Sequence, residues 1–185
     1  MANLTLARLA ERRANEGIGP QKPSYCQMWI RLLVQALYGA KWDSWLWQRS
    51  AKQAGEAFWT KRATLPDGAV VLKSSRAADT QIGDLLYRTE SGGKDGHVCI
   101  RVSGNRVAEN SSVHSGPNGA IGFRPLGSVT FDTIVRLPDP NAVPQPATAK
   151  ELLAAVYGAC ADDQKALAAL NRFRHHPDIE AVPSL

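Results

Sequence analysis

Cysteine is scarce in this chain: its 185 residues hold three, Cys26, Cys99 and Cys160. The count is odd, the spacings are wide, and no Cys-x-x-Cys occurs. A disulfide framework and a zinc knuckle are both disfavoured. No run is long and apolar enough to cross a bilayer. The first twenty residues, MANLTLARLAERRANEGIGP, lack the charged-then-apolar order and the cleavage site of a secretory signal. The expectation is a protein made in the cytoplasm whose export needs other help. No glycine-rich phosphate cradle, zinc spacing or internal repeat is found, so no cofactor or metal is expected. His175 and His176 stand together without companion ligands and read as a solvated terminus.

What is present is ordinary for a soluble globular chain: 44% apolar residues and 21% charged. The formal net charge of +5 favours an anionic partner such as nucleic acid, a membrane surface or an acidic cell wall. The basic residues are scattered rather than run together, and a solvated basic surface explains them equally well.

The N-terminal twenty residues read as a short amphipathic helix, with Leu4, Leu6 and Leu9 on one side and Arg8, Arg12 and Arg13 on the other. Pro20 and Pro23 separate it from the next helix. Ser24 suits an N-cap. Cys26, Trp29, Ile30, Leu33 and Leu37 then recur at helical steps until Gly39. A second helical stretch is expected over 44–60. Strands are expected at 69–72, 82–87, 97–102, 106–110, 121–124 and 131–137, with Ser103-Gly104-Asn105 as a hairpin connection. Four prolines between Pro138 and Pro146 mark a linker, and 147–173 is again helical in pattern. Helices first, then an antiparallel sheet, then a helical tail define an α+β domain. The divisions are an N-terminal helix over 1–20, a central domain over 21–138, a proline-rich linker over 139–147 and a helical tail over 148–185.

The chemistry centres on Cys26 and His97. A thiol at the first turn of a helix meets unpaired N–H groups and the positive end of the dipole, which favour the thiolate. A histidine beside it can take and return a proton. The plain alternative is that Cys26 is a small apolar core residue. Alternation places His97, Cys99 and Arg101 on one face of their strand and Val98, Ile100 and Val102 on the other. With the second face as core, the helix of Cys26 is expected to lie over the His97 face. A working imidazole also needs a group that fixes its orientation. The hairpin returns Glu109, Asn110 and Ser111 opposite His97, and any of them could serve. The alternative is that this polar run simply ends the strand.

Residues 24 to about 137 resemble the NlpC-type and CHAP-type cysteine peptidases and amidases, papain-like enzymes that cut bacterial peptidoglycan. Cys26-Gln27-Met28-Trp29-Ile30, continuing to Tyr38-Gly39, resembles their nucleophile helix. Ile82-Gly83-Asp84-Leu85-Leu86-Tyr87 resembles their Gly-Asp strand, and Gly96-His97-Val98-Cys99-Ile100 their histidine strand. Val107-Ala108-Glu109-Asn110 resembles the strand bearing the third polar residue. The departures are Tyr25 in place of the usual Asp before the cysteine, Gln27-Met28 in place of Ser-Gly after it, and Cys99 where a small residue is usual.

The resemblance implies a papain-like fold with N-terminal helices packed on a central antiparallel sheet. It implies Cys26 as nucleophile, His97 as base and acid, and Glu109 or Asn110 as orienting group, with Tyr25 as an assisting hydroxyl. The partner would be peptidoglycan, at its peptide stems, and nucleic acid is not expected. A phage-type lysin or an injected effector, acting at the wall after release, fits the missing signal. Two rivals stand beside this: a papain-like acyltransferase or deamidase acting on protein or lipid, and a non-catalytic basic module that binds wall or nucleic acid. Asp84 is expected to be structural and His114 to decorate a loop. Trp42, Trp45, Trp47 and Trp59 are expected mainly as core, with a glycan-stacking groove as the alternative.

Overall fold

The structure is a computed structural model, and it describes residues 2–39, 48–60, 65–90, 93–114 and 119–141. The chain divides after Asn141, inside the proline-rich stretch. The linker and tail expected beyond that point lie outside the described residues, as do Trp42, Trp45 and Trp47 and the first part of the helix expected over 44–60.

Among the described residues, unit 1 is an α+β fold of three helices and six strands. The helices are α1 (Leu4–Glu16), α2 (Cys26–Tyr38) and α3 (Ala51–Trp59). The strands are β1 (Val70–Lys73), β2 (Leu85–Arg88), β3 (His97–Val102), β4 (Arg106–Asn110), β5 (Ile121–Pro125) and β6 (Thr133–Arg136). They form one antiparallel sheet in the order β1-β6-β2-β3-β4-β5. The β3–β4 hairpin turns through Gly104 and Asn105, both with positive φ, where glycine and asparagine are the least penalised residues.

Each helix starts for a local reason. Asn3 caps α1 by accepting the Leu6 amide at 3.0 Å, and Ser50 caps α3 by accepting the Gln53 amide at 3.2 Å. The buried residues of α1 are Leu6, Ala7, Ala10 and Ala14, with Leu9 packed against the same core; of the expected leucine side only Leu4 is exposed. Small alanines let the α1 backbone approach the sheet closely. Helix α2 departs from expectation at its start. Its N-cap is Tyr25, not Ser24, and no side chain caps it. Ser24 has a φ of 74° and belongs to the turn before the cap.

The two sheet faces are covered differently. Trp29, Ile30 and Leu33 of α2 share one apolar cluster with Val98, Ile100 and Val102 of β3 and with Leu6 and Ala10 of α1. Cys99, Leu86, Val107, Leu126, Phe131 and Ile134 form a second cluster on the opposite face. This corrects the expectation that α2 covers the His97 face: α2 packs on the other one. Burial explains why, since the apolar stripe of α2 needs the wholly apolar face of β3. Truncating a side chain as large and as buried as Trp29 costs about 3–5 kcal/mol.

Asp84 anchors the entry to β2. It is fully buried, and both its oxygens accept from Arg136, at 2.8 Å and 2.7 Å. One of them also accepts the Gln81 amide at 2.7 Å. Such a bidentate, multiply bonded carboxylate holds backbone in place.

Candidate active site

Cys26 is the first residue of α2 and His97 the first residue of β3. Because both stand at element ends, they meet although α2 packs on the face of β3 opposite to the His97 side. The His97 ring stands close enough to Cys26 for the thiol to raise its pKa, and the two line one cleft. Its Nε2 lies 2.7 Å from Oε2 of Glu109, so Nδ1 is the nitrogen left for the thiol. Gly96, just before His97, has a φ of 68°, and a Cβ there would come within 2.7 Å of the Arg88 carbonyl and the Lys52 amide. Only glycine lets the chain enter β3 in this tight space.

Glu109 and Asn110 are neighbours in β4 that point to opposite faces. Both are fully buried. Glu109 pairs across from Cys99, on the His97 face. Asn110 lies on the α2 face: its Oδ1 accepts the Tyr25 amide at 3.1 Å, and its Nδ2 donates to the Pro20 carbonyl at 2.7 Å. The structure thus joins Glu109 to the imidazole and Asn110 to the chain leading into the thiol. Tyr25 is 43% exposed on the rim.

Two residues complete the surroundings of Glu109. Arg124 Nη1 lies 3.4 Å from its Oε1. His114 Nε2 lies 3.2 Å from the same oxygen, in ion-pair range but off the line for a hydrogen bond. His114 therefore does more than the loop decoration expected of it. The sequence did carry one signal, a glycine in mid-strand: a Cβ on Gly122 would meet the His114 ring at 2.7 Å. Arg124 alternates with Phe123, which packs towards the helices, and so falls on the Glu109 face.

This arrangement sets the charge states. Burial opposes charge on His97, but hydrogen bonds to Cys26 and Glu109 and their negative charges outweigh it. The pKa rises from 6.5 to about 9. Burial alone would raise the Glu109 carboxyl. The hydrogen bond and charge of His97, with Arg124 and His114 behind it, reverse that and hold it below its ordinary value. The second described cysteine is different in kind. Burial pushes the Cys99 thiol well up, and the charge of Glu109 adds to the effect. Cys99 therefore stays a protonated core residue.

Cys26 and His97 open onto a cleft of about 660 Å³ that is also lined by Tyr25, Asn110 and Ser111. Cys26 is 7% exposed and is among the residues that line the cleft. The first N–H groups of any α-helix lack partners within it; at α2 the N-cap Tyr25 supplies no side-chain cap, and its own amide is taken by Asn110. Of the tryptophans, Trp29 is core, while Trp59 is 43% exposed and its Nε1 donates to Thr133 Oγ1 at 3.1 Å. Among the described residues no group of three or more His, Cys, Asp or Glu is placed to hold a metal, and no helix is long and apolar enough to cross a membrane.

No family profile matches the chain, and no curated protein matches it. Among solved structures it is similar to one described as "The crystal structure of Ly7917", at 17% identity and a TM-score of 0.46. That match covers 71% of this chain and spans 62% of the other.

Proposed function

We propose that this protein is a papain-like cysteine hydrolase that cuts amide bonds of bacterial peptidoglycan, at stem peptides or cross-bridges. The observation that carries the reading is the chain of contacts Cys26–His97–Glu109 at the mouth of a cleft. A thiol at an uncapped helix start, an imidazole on a sheet strand and an acidic group behind it are the parts that nucleophilic acyl transfer needs.

Each step uses atoms already in place. The Cys26 sulfur attacks the amide carbonyl while His97, whose pKa is raised, holds a proton. The oxyanion that forms would be met by the Cys26 amide at the start of α2. His97 gives its proton to the leaving nitrogen, and the C–N bond breaks to leave a thioester. A water then loses a proton to His97 and attacks the thioester, and the returning proton frees the thiol. Glu109 holds the ring in orientation and favours its charged form.

The NlpC-type and CHAP-type resemblance supplies the substrate class, and the basic surface suits a wall rich in anionic polymers. The place of action would be the bacterial wall, after release as a lysin or injection as an effector.

The deciding experiment incubates the protein with purified peptidoglycan, before and after alkylation by iodoacetamide, with Cys26→Ala in parallel. The expected result is release of soluble fragments that alkylation and Cys26→Ala both abolish. Full lysis by Cys26→Ala overturns the reading. Labelling of Cys26 without any wall cleavage favours the acyltransferase or deamidase rival, and salt-sensitive nucleic-acid binding indifferent to alkylation favours the non-catalytic one.

A further inference from the structure

Gly122 of β5 pairs directly across from Glu109 of β4. Its φ is not positive, so glycine is not needed there for its backbone freedom. What it supplies is space. A Cβ on Gly122 would stand 2.7 Å from Nδ1 and 2.9 Å from Cγ of His114. The His114 ring therefore fills the slot that the missing side chain leaves beside Glu109. The chain after β4 is turned back to bring it there. The Ser111 amide donates to the Ala120 carbonyl at 2.7 Å, and the His114 amide donates to the Ser111 carbonyl at 3.3 Å.

In that slot His114 Nε2 lies 3.2 Å from Oε1 of Glu109. It is buried and has no hydrogen-bond partner. A nitrogen lone pair aimed at a carboxylate oxygen would repel it, so the nitrogen facing Oε1 carries the hydrogen. Hydrogen bonds of this kind are often poorly aligned before substrate binds and tighten during reaction. The other oxygen, Oε2, is the one that meets His97 at 2.7 Å. Two imidazoles thus take the two ends of one carboxylate. Arg124 reaches Oε1 only at 3.4 Å, is partly exposed and spends its Nη2 on the Ser128 carbonyl.

We infer that His114 is a positioning residue: it fixes Oε1 of Glu109 and so aims Oε2 at His97. The inference rests on the hydrolase reading for the bond cut, but its effect on Cys26 and His97 is readable without a substrate. Glu109 is faced by His97 and Cys99 from β3, by Arg124 from β5 and by His114. His97, Arg124 and His114 all lower the pKa of Glu109. Without His114 the carboxyl should lose its charge at a higher pH.

The test compares His114→Phe, which fills the slot without a donor, with His114→Gln, whose amide N–H reaches towards Oε1. The readouts are kcat and KM on soluble peptidoglycan fragments and the pH profile of iodoacetamide labelling of Cys26. His114→Phe should lower kcat about tenfold or more with KM unchanged, and should move the low-pH limb of labelling to higher pH. His114→Gln should recover most of kcat. Gly122→Ala, which keeps His114 but crowds its ring out of the slot, should copy His114→Phe. An unchanged kcat and labelling limb in His114→Phe overturn the proposal. Equal losses in His114→Phe and His114→Gln overturn it too, since they make the role one of packing. If the wild type cuts no peptidoglycan fragment, the hydrolase reading fails and the labelling limb alone decides: an unmoved limb in His114→Phe sinks the role of His114. Should His114→Phe fail to fold, by circular dichroism, His114→Asn takes its place, its amide being too short to reach Oε1.

Discussion

The side chain of Asn110 accepts the backbone amide of Tyr25 at 3.1 Å, tying the last residue of β4 to the residue just before the thiol. Its neighbour Glu109 holds the imidazole from the opposite face. One pair of adjacent residues thus touches both the chain leading into the thiol and the imidazole. Their roles differ, and their substitutions should differ too.

Glu109→Gln should keep the fold's volume and lose the negative charge behind His97. The expected loss is in kcat, on the order of a hundredfold or more, as for other removed general acid–base supports. Asn110→Ala instead leaves the Tyr25 amide and the Pro20 carbonyl without buried partners. It should lower stability by about 1–3 kcal/mol and slow iodoacetamide labelling of Cys26 as the loop before α2 loosens. Thermal melts and labelling rates on the two variants check both. A Glu109→Gln protein with full kcat would remove Glu109 from the mechanism.

The raised pKa of His97 makes a pH prediction with a definite sign. The folded value is about 9 against 6.5 for the ordinary imidazole. Its protonated form therefore contributes stability that is fully present below pH 6.5 and is lost as the pH rises through about 9. On the proposed hydrolase reading activity should fall over the same upper range, since the charged ring would be the proton donor to the leaving nitrogen. Glu109 works in the reverse sense. Its folded pKa is depressed, so its contribution is present above the ordinary carboxylate range and is lost as the pH falls through the lowered value. The upper limb, measured in Glu109→Gln, should shift to lower pH. An unmoved limb would separate Glu109 from the titration of His97.

Gly96→Ala should destabilise the site locally. The new Cβ would press on the Arg88 carbonyl and the Lys52 amide, both backbone, from a φ of 68°. Crowding and conformation together should cost about 1–3 kcal/mol. Because the pressure falls where α3 and β2 flank His97, activity should drop more than the melting temperature suggests. A variant of wild-type stability and activity would contradict the close approach at Gly96.

The strands are legible in the sequence because the hairpin is regular: His97–Val102 and Arg106–Asn110 form as the alternation and the Gly104-Asn105 turn require. Alternation names which residues share a face, but not which element covers it. It therefore puts the helix of Cys26 on the wrong side of β3. A strand's first residue is also less bound to one face, and so His97 still meets the thiol. Glu109 and Asn110 cannot be told apart from local pattern, because their difference is one of register against β3 and of a contact with the chain before α2. His114 is hidden for a related reason: its partner Glu109 comes from another strand, and only Gly122 hints at an imidazole packed close. The Ser24 cap does not form because φ there is positive, which nothing in Pro23-Ser24-Tyr25 announces.

The clasp at Asn3 carries a further consequence. Its side chain donates to the carbonyls of Leu137 and Pro138 at 3.1 Å each, and the Thr5 amide donates to Asp139 at 3.0 Å. The first turn of α1 and the segment after β6 are stitched side by side. In effect the domain is a ring with its seam already closed. A circularly permuted gene that fuses residue 139 to residue 3 through a short glycine bridge, and opens the chain at the Ser103–Asn105 turn, would carry Cys26, His97 and Glu109 to the same places by a different route.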